Sequence, residues 1–315
     1  MFAVGEHHRR EFLDSAPAIL LAAIAARTKN VRLTSAVTVL SATDPVRVFQ
    51  EFATIDLLSR GRAEIIVGRG SFAEAIPLFG LRREDYDRLF VEKLDLLLQL
   101  RETNNLHWSG RFRPALTGQA VYPRPYQQKM PIALGAGGTP QSFVRAGTLG
   151  LPLMIGIIGG EFRQFRPLVD LYRDAWSKAG HPPEDCRVGI NTFGLVSDTT
   201  KAAKEQFFPG WQYLLGEVGR ERGWSRPTRE QFEATCGPFG AFLIGDPQTV
   251  AAKAVAASEA LGGVSRISLQ LGTALLPHAT MTRAIELLGA EVAPMVRAAL
   301  IDKTGKATAQ SRLAV

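Results

Sequence analysis

The chain has little of what would mark it out by composition. Its 315 residues include only two cysteines, Cys186 and Cys236, and no Cys-x-x-Cys or zinc-type spacing. This excludes a disulfide framework and suits free thiols in a reduced, cytosolic chain. No uninterrupted apolar run reaches the roughly 18 residues that a membrane span needs; the stretch from Ala16 to Ala26 is broken by Pro17 and ends at Arg27. The N-terminus lacks the basic, apolar and small-residue order of a signal peptide. A soluble protein that does not engage membranes is expected. Aromatic residues make up only 8% and do not interleave with the 37 scattered lysines and arginines. The net charge of +7 therefore does not read as a nucleic-acid surface, although a modest positive field helps attract a small anion. Internal repeats and low-complexity tracts are absent.

What is present suffices for a large core: 46% apolar and 21% charged residues, near the soluble average. Seven short apolar runs, each followed by an amphipathic stretch, read as buried strand then helix. The runs are Phe2 to Val4, Val31 to Leu40, Ala63 to Val67, Pro131 to Leu134, Leu151 to Ile158, Arg187 to Val196 and Val264 to Leu271. Helix starts are marked by Ser15-Ala16-Pro17, Asp44-Pro45, Thr139-Pro140 and Asp246-Pro247, where a capping side chain or an early proline suits the first turn. Near-continuously apolar strands separated by helices mean a parallel sheet covered by helices. The length fits one (β/α)8 barrel domain of about 250 residues plus insertions, here spanning 1–302. The periodicity fails at about 105–128, which reads as a hairpin excursion, and at about 209–243, an insertion with some helix. A helix is expected from Thr199 to about Phe208, and a polar tail covers 303–315. Seven visible strands against the eight of a closed barrel imply that the first strand and helix are lacking.

Active sites of such barrels are built at the carboxyl ends of the strands. There lies Gly5-Glu6-His7-His8. A histidine titrating near neutrality suits proton transfer, whereas adjacent histidines on an extended strand point to opposite faces and argue against a metal site. An isolated pair of histidines is as readily explained by loop hydrogen bonds. Gly68-Arg69-Gly70 closes the third run, where Arg69 offers a fork of donors to an anion, or pairs with a loop carboxylate. Gly135-Ala136-Gly137-Gly138-Thr139, with Ser142 one turn on, places backbone amides and hydroxyls at a helix N-terminus, an anion-binding arrangement. It could equally be a tight connection. Ser35-Ala36-Val37-Thr38 puts small side chains at the end of the second run, by packing or to admit a flat ring. Phe72, Trp108, Trp211 and Trp224 are pocket candidates whose default role is packing.

Together, Gly5-Glu6-His7-His8, the stretch from Ser35 to Leu40 with Asp44-Pro45-Val46-Arg47, Leu57-Leu58-Ser59-Arg60-Gly61-Arg62 and Val67-Gly68-Arg69-Gly70 resemble, in that order, the bacterial luciferase-like flavin monooxygenases. Gly137-Gly138-Thr139-Pro140, Arg145-Ala146-Gly147 and the stretch from Ala284 to Gly289 resemble a subgroup known only as flavin-dependent oxidoreductases. The resemblance covers nearly the whole chain and implies a (β/α)8 barrel of the luciferase-like type. It implies a monooxygenase that uses reduced FMN, supplied by a separate reductase, and molecular oxygen on a small organic substrate. A deazaflavin (F420)-dependent hydride-transferring dehydrogenase and a non-catalytic flavin-binding relative are the alternatives. By position His7 matches the catalytic histidine, Arg69 an arginine on the flavin phosphate, and Gly137, Gly138, Thr139 and Ser142 further phosphate contacts. Ala36 and Val37, followed by Thr38, match a pair joined by a non-proline cis peptide beneath the flavin ring. Gly138 stands where luciferase-type sites carry an acidic residue. The resemblance also implies a homodimer, and relatives begin one strand and helix earlier; the cysteine usage places the chain in the cytoplasm.

Overall fold

The computed structural model describes residues 1–304 except 71, 73, 222, 273 and 274; the expected tail at 303–315 lies almost wholly outside the described residues. The fold divides into two compact units, one ending at Gly135 and the other starting at Ala136.

In the first unit the order is β1 (Phe2–Val4), α1 (Pro17–Arg27), β2 (Leu33–Ser35), β3 (Thr38–Val39), α2 (Pro45–Ser59), β4 (Ala63–Gly68), α3 (Ala75–Leu78), α4 (Tyr86–Glu102), β5 (Asn105–Trp108), β6 (Leu116–Ala120) and β7 (Ile132–Ala136). β1 runs parallel to β2, β2 and β3 to β4, and β4 to β7. All six residues of β4 are buried, as a central parallel strand requires. α2 begins as its sequence predicts, Asp44 accepting from the Val46 amide at 2.9 Å, and buries Val48, Phe49, Phe52 and Ile55. β5 and β6 form the antiparallel hairpin expected of the excursion.

The Ser59-Arg60-Gly61-Arg62 stretch is structural. Arg60 caps α2 in the left-handed region at φ 56°. The Arg62 guanidinium donates to the Ala25 and Thr28 carbonyls at 2.9 and 2.8 Å and to Val31 at 2.7 Å, sealing the end of α1. The fully buried Asp56 accepts from the amides of Ala63 (3.1 Å) and Gln127 (2.8 Å), so its charge is met by donors rather than left bare.

In the second unit α5 (Pro140–Thr148), β8 (Leu153–Gly156), α6 (Arg166–Lys178), β9 (Val188–Val196), α7 (Thr200–Glu221), α8 (Arg229–Cys236), β10 (Leu243–Gly245), α9 (Pro247–Ala260), β11 (Arg266–Gln270), α10 (His278–Leu287) and α11 (Ala293–Thr304) follow. β8, β10 and β11 each pair in parallel with the long β9. Gly147 explains the Arg145-Ala146-Gly147 motif: a Cβ there would lie 2.4 Å from the Tyr172 carbonyl, so glycine lets α5 lie directly on α6.

One expectation is corrected and one element is added. The helix expected to stop at about Phe208 continues through Pro209 to Glu221. Phe207, Trp211, Leu214 and Val218 are buried along one face, and that apolar stripe carries the helix past the lost backbone donor. β10, which the sequence left unassigned between the end of the insertion at about 243 and the helix start at Asp246, is a three-residue buried strand, too short to show a period. Among the described residues no helix is long and apolar enough to cross a membrane.

Candidate functional site

In the first unit the chain leaves β1 at Val4 and turns Glu6 inward. The Glu6 carboxylate is buried; one oxygen accepts from the Val39 amide at 2.8 Å and the other lies 3.1 Å from His8 Nε2. A carboxylate with both oxygens met is tolerable in the interior, and this one ties the end of β1 to β3. His8 is thereby held in the framework, its ring edge-on to Phe79 at 5.0 Å. His7 instead contacts two phenyl rings, Phe12 at 4.2 Å and Phe72 at 5.2 Å between centroids. Burial, reinforced by His8 and then Arg9, lowers its pKa from 6.5 to about 4. At neutral pH the imidazole is uncharged and able to take a proton. Asp14 is close by, with its pKa raised by burial and further by Glu6, against a backbone hydrogen bond.

The run expected as one strand from Val31 to Leu40 is two, β2 and β3, joined through a cis peptide between Ala36 and Val37, as the resemblance implied. Across the break Ser35 replaces the ladder: its Oγ donates to the Ile66 carbonyl at 2.9 Å and accepts from the Ile66 amide at 3.2 Å. The Val37 isopropyl group fills the space over Gly68 and Gly135, where added Cβ atoms would meet it at 2.6 Å. Thr38 Oγ1 is buried and has no hydrogen-bond partner among the described residues. Buried polar atoms in native proteins are nearly always partnered by protein, water or ligand. Arg69 follows β4, its Nη1 3.3 Å from Asp87 Oδ1; the carboxylate partner that the sequence left open is thus in the first turn of α4 rather than in a loop. That pair is partly exposed and of the kind worth little, so an incoming phosphate can compete for the guanidinium. His7, the 36–38 corner and Arg69 thus all lie at carboxyl ends of the first unit's parallel strands.

In the second unit Gly137 and Gly138 are exposed, and a Cβ on either would meet nothing within 4 Å. Thr139 is the N-cap residue of α5 in extended conformation, with Pro140 opening the helix and no side-chain cap. The buried Ser142 donates its amide to the Thr139 carbonyl at 2.9 Å. The start of α5 is therefore an open backbone cradle of the type that binds anions.

The hydrogen-bonding role of Glu6 and His8 agrees with the plainer reading of that motif, whereas sequence reasoning missed Phe12 as a neighbour of His7, which is set by loop packing that no period encodes. It also missed Lys93, buried with Nζ 2.7 Å from the Ser41 carbonyl and with its pKa lowered by burial. The signal was available, since Lys93 falls at helical spacing among Leu89, Phe90, Leu94 and Leu97 on the inner face of α4. Of the tryptophans, Trp108 donates to Asp95 at 2.9 Å and Trp211 lies in an aromatic cluster with Phe232 and Phe242.

Residues 1–264 match the profile of the luciferase-like monooxygenase family. The F420-dependent glucose-6-phosphate dehydrogenase of Amycolatopsis mediterranei is 32% identical over 120 residues, 37% of this chain and 35% of that protein. The chain spans about half the length of the first curated relatives it matches. Among solved structures, monooxygenase RslO1 from Streptomyces bottropensis superposes with a TM-score of 0.80 at 23% identity, covering 93% of this chain and 87% of that one. The oxygenating constituent of 3,6-diketocamphane monooxygenase from Pseudomonas putida, in complex with FMN, gives 0.74 at 20% identity over 93% and 88%. These likenesses show the fold, an α/β fold of the luciferase-like TIM-barrel type, and with the profile match over most of its length the chain belongs to the luciferase-like monooxygenase family.

Proposed function

We propose that the chain is a flavin-dependent oxidoreductase, and specifically a monooxygenase that uses reduced FMN and molecular oxygen on a small organic substrate. The observation that carries the reading is the corner at Ala36-Val37-Thr38: half-buried small residues beside a buried hydroxyl that has no hydrogen-bond partner among the described residues, a surface suited to a flat polar ring. The residues fit the cofactor on its anionic side as well. Arg69 in the first unit and the open start of α5 in the second are each able to hold a phosphate, the one by charge-assisted hydrogen bonds, the other by backbone amides and the helix dipole. When bound, reduced flavin would supply the electrons with which oxygen is activated.

The chain's own contribution would be positional and protolytic. Val37 and Thr38 would support the ring, while Ser35 and Glu6 fix the corner from behind. Neutral His7 would take or return a proton at one ring nitrogen, in surroundings where Phe12 and Phe72 exclude water. Supply of reduced flavin would fall to a separate reductase, and the chain would work as a homodimer. An F420-dependent hydride transfer is the second reading, favoured by the identity to the Amycolatopsis dehydrogenase.

Anaerobic titration with reduced FMN, with F420 in parallel, tests the proposal. FMN is expected to bind at micromolar Kd or tighter, about 8 kcal/mol, and Arg69→Ala to weaken it at least about tenfold through loss of a charge-assisted pair. Binding of F420 alone would transfer the assignment to the dehydrogenase. Unchanged FMN affinity in the Arg69 variant would remove that residue from the site.

A further inference from the structure

The first turn of α4 braces the loop that carries Arg69. The Tyr86 hydroxyl donates to the Gly70 carbonyl at 3.0 Å, and burial pushes its pKa up to about 12 against the nearby charge of Arg69, so the donor keeps its proton. Gly70 has φ 82°, a conformation that favours glycine, and a Cβ there would lie 3.1 Å from Val39 Cγ1. The backbone beside Arg69 is therefore pressed against β3 and tied to α4. Two turns along the helix, the buried Lys93 amine donates to the Ser41 carbonyl at 2.7 Å, which fixes α4 to the loop after β3 as well. Within this frame the Arg69–Asp87 pair is the soft part. Its nitrogen–oxygen distance is 3.3 Å, with the arginine side chain 28% exposed and the aspartate 57%, and a pair so exposed exchanges partners at little cost. A phosphate monoester brings a charge of about −1.5 to −2 and three acceptor oxygens, which outweighs a single carboxylate at the planar fork of an arginine.

We infer that Asp87 is a displaceable counter-ion of Arg69, which sets how tightly the anionic end of the ligand is held and how fast it leaves. The inference rests on the proposed place of Arg69 at the cofactor's phosphate. Before binding, the carboxylate neutralises the guanidinium. A phosphate arriving at Arg69 takes over that contact but leaves Asp87 beside it, because Tyr86 and Lys93 hold α4 in place. Like charges then face each other, and the bound state is weakened. Asp87 does not need Arg69 for its own support: it lies in the first turn of α4, where the helix dipole favours an acidic side chain. The effect is confined to anions, since a flavin without a phosphate has nothing to displace. For a chain supplied with reduced flavin by a separate protein, a phosphate site held below its full strength favours exchange of the cofactor.

Asp87→Asn keeps the shape of an exposed side chain and removes its charge. In the full chain, anaerobic titration and stopped-flow dissociation of reduced FMN should show binding about three- to tenfold tighter than in the wild type, chiefly through slower release. Reduced riboflavin, with the same ring and no phosphate, should bind both proteins alike, a contrast that a merely structural role of Asp87 would not produce. Asp87→Glu restores the carboxylate and should return the FMN affinity toward that of the wild type. Unchanged or weaker FMN binding in Asp87→Asn, an equal gain for riboflavin, or the same gain in Asp87→Glu would overturn the inference. A titration with inorganic phosphate, followed by the Arg69 Nε–H resonance, keeps the two ideas apart. Phosphate that binds Asp87→Asn more tightly, while FMN binds neither protein, would sink the flavin reading and leave Asp87 in its role. FMN bound equally well by both proteins would sink the role of Asp87 alone, and binding of neither FMN nor phosphate would overturn both.

Discussion

At the scale of the residue, the adjacent histidines of the loop after β1 have opposite fates. His8 turns to a buried carboxylate and becomes part of the framework, whereas His7 is held neutral by burial and by the neighbouring His8 and Arg9. The consequence is a pH dependence of stability. An unfolded His7 takes up its proton near pH 6.5, and the folded one only near pH 4. The unfolded state therefore binds more protons throughout that window. Its contribution is complete above pH 6.5 and is lost as pH falls toward 4, by up to roughly 3 kcal/mol. His7→Gln should flatten this part of the curve. Urea midpoints of both proteins between pH 7 and 4 would reveal it, and parallel curves would mean that His7 is not held neutral by the fold. The position of His7 at a strand end was legible in the sequence. Its neutrality was not, because the burial that lowers its pKa comes from loop packing that leaves no periodic trace.

At the scale of the element, strand–helix alternation was legible wherever a strand was long enough, or a helix well enough capped, to show its period. Asp44-Pro45 and Asp246-Pro247 mark helix starts in sequence, and both aspartates cap as expected. β10 left no such mark in three residues, and Pro209 suggested a stop that the buried stripe of α7 overrides. The corner between β2 and β3 is the case where local sequence said least on its own: Val31 to Leu40 reads as one strand, and only the resemblance pointed to the cis bond. Its packing makes a testable claim. Gly135 on β7 faces Val37 Cγ1, which a new Cβ would approach to 2.6 Å, so Gly135→Ala should cost about 1–3 kcal/mol by overpacking. Val37→Ala removes the obstructing methyl groups. The double variant should therefore be more stable than the sum of the single losses predicts, by more than about 0.5 kcal/mol, the limit of ordinary additivity. Strict additivity in denaturant midpoints would show that Val37 is not what obliges glycine there.

At the scale of the whole molecule, the feature that asks for a partner is α1. From Pro17 to Ala26 it has no charged residue, and only Arg27 at its end is basic. A helix apolar on all sides is stable in water only when both faces are covered. Its inner face buries Leu21 and Ala25, but Ile19 is 72% exposed and Leu20 40%, and on α2, against which α1 packs, Leu57 and Leu58 are exposed as well. Exposed apolar side chains on two helices that pack together are candidates for an interaction site, and the closed two-fold pairing of one such face with its own copy is the commonest way to cover it. The proposed homodimer therefore has a specific expectation. Light scattering after size exclusion should return twice the chain mass for the wild type. Ile19→Glu together with Leu58→Glu should return the single chain, because each copy would bring charges to the seam of a self-complementary interface. Both positions are exposed, so the monomeric variant should keep its fold, and its circular dichroism and its affinity for reduced FMN would tell loss of pairing from loss of structure. A wild-type monomer, or a dimer indifferent to both glutamates, would separate α1 from any role in assembly and leave its bare face without a partner of its own kind.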